Sequence, residues 1–156
     1  MNILFICLEN VCRSPVAEAL LAKKFKENNI PGTVSSAGFE SFMINEPPGK
    51  CVQEMGAKFD LDLTKNKAKI FTRRDFDEYD KIYVMDTQNY RDVKDVARNN
   101  EDIQKIDYLM NVVTPGRNNT VPNPFTDGKV SFEKVYKMLD KATDKIVELV
   151  KEYQTT

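Results

Sequence analysis

The sequence predicts an α/β fold: a small, doubly wound, four-stranded parallel sheet with helices on both faces, built by residues 1–156 as one domain. Short apolar runs of strand length alternate along the chain with segments of helical periodicity. The opening run, Ile3-Leu4-Phe5-Ile6, is apolar at every position, the pattern of a parallel strand buried on both faces. No internal repeat, low-complexity tract or interdomain linker interrupts the alternation.

Each element has its own signal. Ile3 to Ile6 forms the first strand, which Cys7 ends, and Leu8 to Cys12 is a tight loop. A helix follows: Val16, Ala17, Ala19, Leu20, Leu21 and Ala22 recur at helix spacing, while Lys23, Lys24, Lys26 and Glu27 are polar. Ser14 is placed as its cap and Pro15 as its first residue, where the missing N–H costs nothing. The helix runs to about Lys26, closed by Asn28-Asn29 and Pro31-Gly32. Thr33 to Gly38 is a short second strand, Phe39 to Pro48 a loop, and Gly49 to Met55 a short helix stopped by Gly56. Asp60 to Arg74 is polar and basic, read as loop with short helical turns. Lys81 to Met85 is the third strand, Asp86 or Thr87 caps a helix through about Arg98, and Lys105 to Leu109 is the fourth strand. Thr114 to Asp127 contains Pro115-Gly116, Asn118-Asn119, Pro122 and Pro124 and is a long loop. Ser131 caps the last helix, whose apolar stripe is Val135, Met138, Leu139, Ala142, Ile146, Leu149 and Val150.

Bulk properties exclude several classes. With 156 residues the chain is expected to bury about two-thirds of its unfolded surface. A net charge of -1 gives no reason to expect a nucleic-acid partner. No stretch is long and apolar enough to span a membrane, and the opening run is too short and lacks the basic leader of a signal peptide. Three cysteines, an odd number, fit a reducing compartment, so a cytoplasmic protein is expected. Histidine is absent, which excludes Cys-His and Ser-His pairs. No metal-ligand cluster is visible, and no cofactor is implied.

In a doubly wound sheet the ligand crevice lies beyond the carboxyl ends of the strands, where Cys7, Ser36, Asp86 and the loop from Pro122 to Pro124 gather. Five residues between Cys7 and Arg13 suffice to wrap backbone N–H groups around one tetrahedral anion at a helix N-terminus. The helix dipole and the Arg13 guanidinium both favour thiolate at Cys7. Arg13 presents a planar fork that matches two oxygens of an oxyanion. This is a nucleophile aimed at a bound anion, activated by dipole and cation since no imidazole is available.

Cys7-Leu8-Glu9-Asn10-Val11-Cys12-Arg13-Ser14-Pro15 resembles the phosphate loop of the low-molecular-weight protein tyrosine phosphatases, Cys-x-Gly-Asn-x-Cys-Arg-Ser-Pro. The resemblance extends over nearly the whole chain. Ser35-Ser36-Ala37-Gly38 resembles a segment after the family's second strand, and Phe76 to Asn89 its third strand and Met-Asp-x-x-Asn turn. Val121-Pro122-Asn123-Pro124-Phe125 lies where the family carries Asp-Pro-Tyr or Asp-Pro-Phe. Two positions depart: Glu9 stands for a glycine, and Asn123 for the general-acid aspartate.

The resemblance implies hydrolysis of a phosphotyrosine protein or small aryl phosphate through a cysteinyl phosphate. Cys7 is the nucleophile; the backbone of Leu8, Glu9, Asn10, Val11, Cys12 and Arg13, with the Arg13 side chain, binds the phosphoryl group. Asn10, Ser14 and Ser36 support the loop. Cys12 is implied as a thiol that captures oxidised Cys7, against the plain reading of a small buried hydrophobe. Phe42 and Phe125 are implied as aromatic pocket walls, against core packing. Glu9 puts a carboxylate near an anion site, and Asn123 cannot give up a proton, so activity is expected to be reduced unless Asp127 substitutes. The alternatives are a module that binds oxyanions without turnover and, from the glutamate that also occurs in thioredoxin-coupled arsenate reductases, an arsenate reductase, which needs further cysteines after the third strand where this chain has Met85 to Asn89, Cys12 and Cys51 being its only other thiols.

Overall fold

The computed structural model describes residues 1–8, 13–39, 57–61, 63, 69–123 and 132–155. Its sheet has the expected four parallel strands: β1 (Ile3–Ile6), β2 (Val34–Ala37), β3 (Lys81–Val84) and β4 (Ile106–Tyr108), in the order β2-β1-β3-β4. From β1 the chain winds outward to β2 and then returns past β1 to β3 and β4. The winding direction therefore reverses between β1 and β3, and the crevice of such a sheet opens at that reversal.

The four residues of β1 are wholly buried and serve two cores in alternation. Ile3 and Phe5 face the core formed with α1 (Arg13–Glu27) and α5 (Phe132–Thr155), through Leu20, Leu21, Leu139 and Ile146. Leu4 and Ile6 face the second core, with Phe76 of α2 (Asp75–Glu78), Ile82 and Val84, and Val93 of α3 (Thr87–Val96). The continuous apolar run in the sequence is thus a strand with no polar face.

Several boundaries differ from expectation. α1 begins at Arg13, so Ser14 lies inside its first turn rather than capping it, and Pro15 is the third helical residue. The first four N–H groups of a helix have no intrahelical acceptor, so proline is as well tolerated there as at the first position. α3 ends at Val96 and not near Arg98, because Asn99 starts a separate short helix, α4 (Asn100–Gln104), by accepting from the Asp102 N–H. Asp75–Glu78 is helical, and Ile70 makes a single parallel bridge to Gly38, neither of which was expected. Leu109–Val112 turns into a 3-10 helix rather than extending β4. In α5 Leu149 is 47% exposed, while Thr143 and Val147 are buried. The buried face runs on through Ile146, Val147 and Val150, which leaves Leu149 off it, and Thr143 is accommodated by donating its hydroxyl to the Leu139 carbonyl. The helix expected at Gly49 to Met55 and the Ser131 cap lie outside the described residues. No described helix is long and apolar enough to cross a membrane.

Candidate active site

β1 delivers Cys7 to the reversal point, and its backbone is sewn to the strand beside it. The Cys7 N–H donates to the Ala37 carbonyl, and the Phe39 N–H donates to the Leu8 carbonyl at 2.7 Å. The sulfur is buried, and its Sγ lies 2.9 Å from Ser14 Oγ. When the sulfur is ionised the hydroxyl is the donor, so Ser14 places a proton against the negative charge. The sequence assigned Ser14 to a cap; its position as the second residue of α1 instead aims it at Cys7.

Arg13 opens α1 and is 3% exposed. Its Nη1 donates to Asp86 Oδ2 at 2.9 Å and to the Val121 carbonyl at 2.8 Å. One nitrogen thus takes both tethers, and Nε and Nη2 have no partner among the described residues. Asp86 in turn is fixed by the other oxygen: Oδ1 accepts from the Asn89 N–H, capping α3. Val121 is fixed by its N–H, which donates to the Met85 carbonyl at 2.7 Å. The end of β3, the N-terminus of α3 and the loop before Asn123 all converge on one guanidinium.

A cavity of about 250 Å³ opens at this convergence, with Leu8, Arg13, Asp86, Asn89, Val121 and Asn123 in its wall. Arg13 and Asn123 share this cavity, and Cys7, next to the lining Leu8, is buried and is not part of its wall. Ser36, on β2 beside Phe5 of β1, donates its hydroxyl to Glu18 Oε1 at 2.9 Å. Burial pushes the Glu18 carboxyl above its ordinary value, although the Ser36 bond and Lys69 act the other way. Glu9, Asn10, Val11, Cys12, Phe42 and Phe125, with Cys51 and Asp127, lie outside the described residues. Among the described residues no three His, Cys, Asp or Glu side chains gather as a metal site would require.

Sequence reasoning placed Asp86 in the crevice as a possible cap and did not pair it with Arg13. It also missed the Val121 carbonyl, Glu18 and the Asn89 side chain. The Asp86-x-x-Asn89 spacing carried part of the signal, since a cap binds the N–H three residues on.

A family model described as low molecular weight phosphotyrosine protein phosphatase matches residues 2–155. A relative, the low molecular weight protein-tyrosine-phosphatase PtpA of Staphylococcus saprophyticus, is 28% identical over 151 residues, covering 96% of this chain and 94% of its own. The crystal structure of YfkJ from Bacillus subtilis superposes with a TM-score of 0.89 at 25% identity, over 98% of this chain and 96% of that one. A protein tyrosine phosphatase from Entamoeba histolytica, solved with Hepes in its active site, superposes with a TM-score of 0.88 at 26% identity over 99% of both chains.

Proposed function

The chain belongs to the low molecular weight phosphotyrosine protein phosphatase family, and from that premise we propose that it hydrolyses aryl phosphomonoesters, phosphotyrosine among them, by way of Cys7 and with a defective proton donor at Asn123. The observation that carries this reading is Arg13, buried and tethered by one nitrogen to Asp86 and Val121 in the cavity that also holds Asn123.

In the first step the Cys7 sulfur forms a bond to phosphorus while the phosphorus–ester oxygen bond breaks and its electron pair stays on the leaving oxygen. Charge spreads over the three remaining phosphoryl oxygens, which the free edge of Arg13 and the helix N-terminus stabilise. Ser14 stabilises the thiolate before attack and as it is expelled again. In the second step water attacks phosphorus, the sulfur–phosphorus bond breaks, and phosphate and a proton leave. An aspartate at position 123 would protonate the leaving oxygen and then draw the proton from water. An asparagine amide does neither, which is worth about 10² to 10⁴ in rate. The same feature supports a second reading, a module that binds oxyanions and turns nothing over.

Acid quenching during hydrolysis of para-nitrophenyl phosphate tests the proposal. Phosphate is expected on the peptide carrying Cys7, and Cys7→Ser is expected to abolish both turnover and labelling. Turnover that survives Cys7→Ser overturns the assignment. Oxyanion binding without turnover by the unaltered chain establishes the second reading instead.

A further inference from the structure

Asn89 is 1% exposed, and among the described residues neither its Nδ2 nor its Oδ1 has a hydrogen-bond partner. Buried amides left in that condition are rare and destabilising, and an apolar side chain of equal size would fill the position without the cost. The location is specific. Asn89 lies in the wall of the cavity that holds Arg13, and its own N–H fixes Asp86, which fixes Arg13. An amide offers two N–H donors, suited to an anion's oxygens, and an acceptor, suited to a guanidinium N–H.

We propose that Asn89 is a positioning residue of the oxyanion site, whose side-chain amide forms its hydrogen bonds in the anion-bound arrangement and so couples binding of the anion to the setting of Asp86 and Arg13. The inference rests on the function proposed above and adds to it a residue outside the phosphate loop. Because both amide atoms are covered, polar atoms reach them only when the cavity wall adjusts. A phosphoryl group drawing on the free edge of Arg13 is the event that shifts the polar groups of that wall. The amide then exchanges no partner for a charge-assisted one, among the stronger hydrogen bonds a protein makes.

Asn89→Leu isolates the side chain, because the backbone N–H that caps α3 remains. Without anion the variant is expected to melt at the same temperature as the unaltered protein or higher, since an unsatisfied amide has been replaced by an apolar group of the same shape. Inhibition by inorganic phosphate and by vanadate is expected to weaken about tenfold, and the thermal stabilisation by vanadate to shrink with it. A merely structural role predicts the reverse pattern, a lower melting temperature with unchanged inhibition constants, and that result overturns the proposal. In the unaltered protein, titration with phosphate is expected to move the Asn89 side-chain amide resonances in nitrogen-15 NMR. Resonances that stay fixed at saturation overturn it even if the variant does not fold. If the unaltered protein binds neither anion, the function proposed above fails too; if it binds both and Asn89→Leu binds them equally, only this inference fails.

Discussion

Among the described residues Arg13 spends a single nitrogen on both Asp86 and the Val121 carbonyl, which leaves its Nε and Nη2 without a described partner and facing the ligand in the function proposed above. Asp86→Asn removes the charge from this arrangement while keeping a good helix cap, since asparagine caps about as well as aspartate. A loss of about 10- to 100-fold in kcat/KM on para-nitrophenyl phosphate is expected, as for a hydrogen bond to a charged group. Steady-state kinetics beside a thermal melt checks this; unchanged kinetics would show that the Val121 carbonyl orients Arg13 alone. Glu18 gives a pH test. Burial raises its folded-state pKa above the ordinary 4.5, so its contribution to stability is present below that value and lost as pH rises through the raised one. Glu18→Gln removes the titration: the variant is expected to match the unaltered protein near about pH 4 and to exceed it in urea midpoint at about pH 8. At this scale Cys7 and Arg13 were legible because a strand end, a fixed spacing and a helix start determine one another. Ser14's true partner and the Glu18–Ser36 bond were not, since a hydroxyl's acceptor depends on where a neighbouring backbone passes.

Elements in this chain are set by apolar periodicity, and their limits by tertiary contacts. The last helix shows both. Leu139 and Leu149 lie on one apolar stripe in the sequence, yet Leu139 is fully buried between α1 and the sheet while Leu149 is 47% exposed. Leu139→Ala is expected to cost about 2–5 kcal/mol in urea unfolding and Leu149→Ala to stay within about 0.5 kcal/mol. Equal costs would mean that α5 is seated differently on the sheet. The break between α3 and α4 has a similar origin. Arg98 binds Asp77 and Asp102 with its guanidinium, and the Arg98 N–H donates to Asp102, so the chain is held in a turn where periodicity alone continued the helix.

Across the whole molecule, the order β2-β1-β3-β4 brings the ends of β1 and β3 side by side, and the meeting of the end of β3, the start of α3 and the loop before Asn123 at Arg13 follows from that. Strand-and-helix alternation made this topology legible, because parallel connections admit few alternatives. What alternation could not supply was the seam: the Val121 N–H on Met85 and its carbonyl on Arg13 bind a distant irregular segment to the sheet by backbone groups, which carry no residue-type signal. That seam brings Asn123 into the cavity of Arg13, and Asn123 is where the account is most exposed. The most direct measurement is the rate for a series of aryl phosphates against leaving-group pKa, for the unaltered protein and Asn123→Asp. Without a proton donor, tyrosine's phenol, with a pKa of about 10, leaves far more slowly than para-nitrophenolate. The account predicts a steep dependence in the unaltered protein and a shallow one in Asn123→Asp, with the larger gain on phosphotyrosine. Brisk hydrolysis of both substrates by the unaltered protein, with little dependence on the leaving group, would contradict it and place the proton donor elsewhere, with Asp127 the first residue to test.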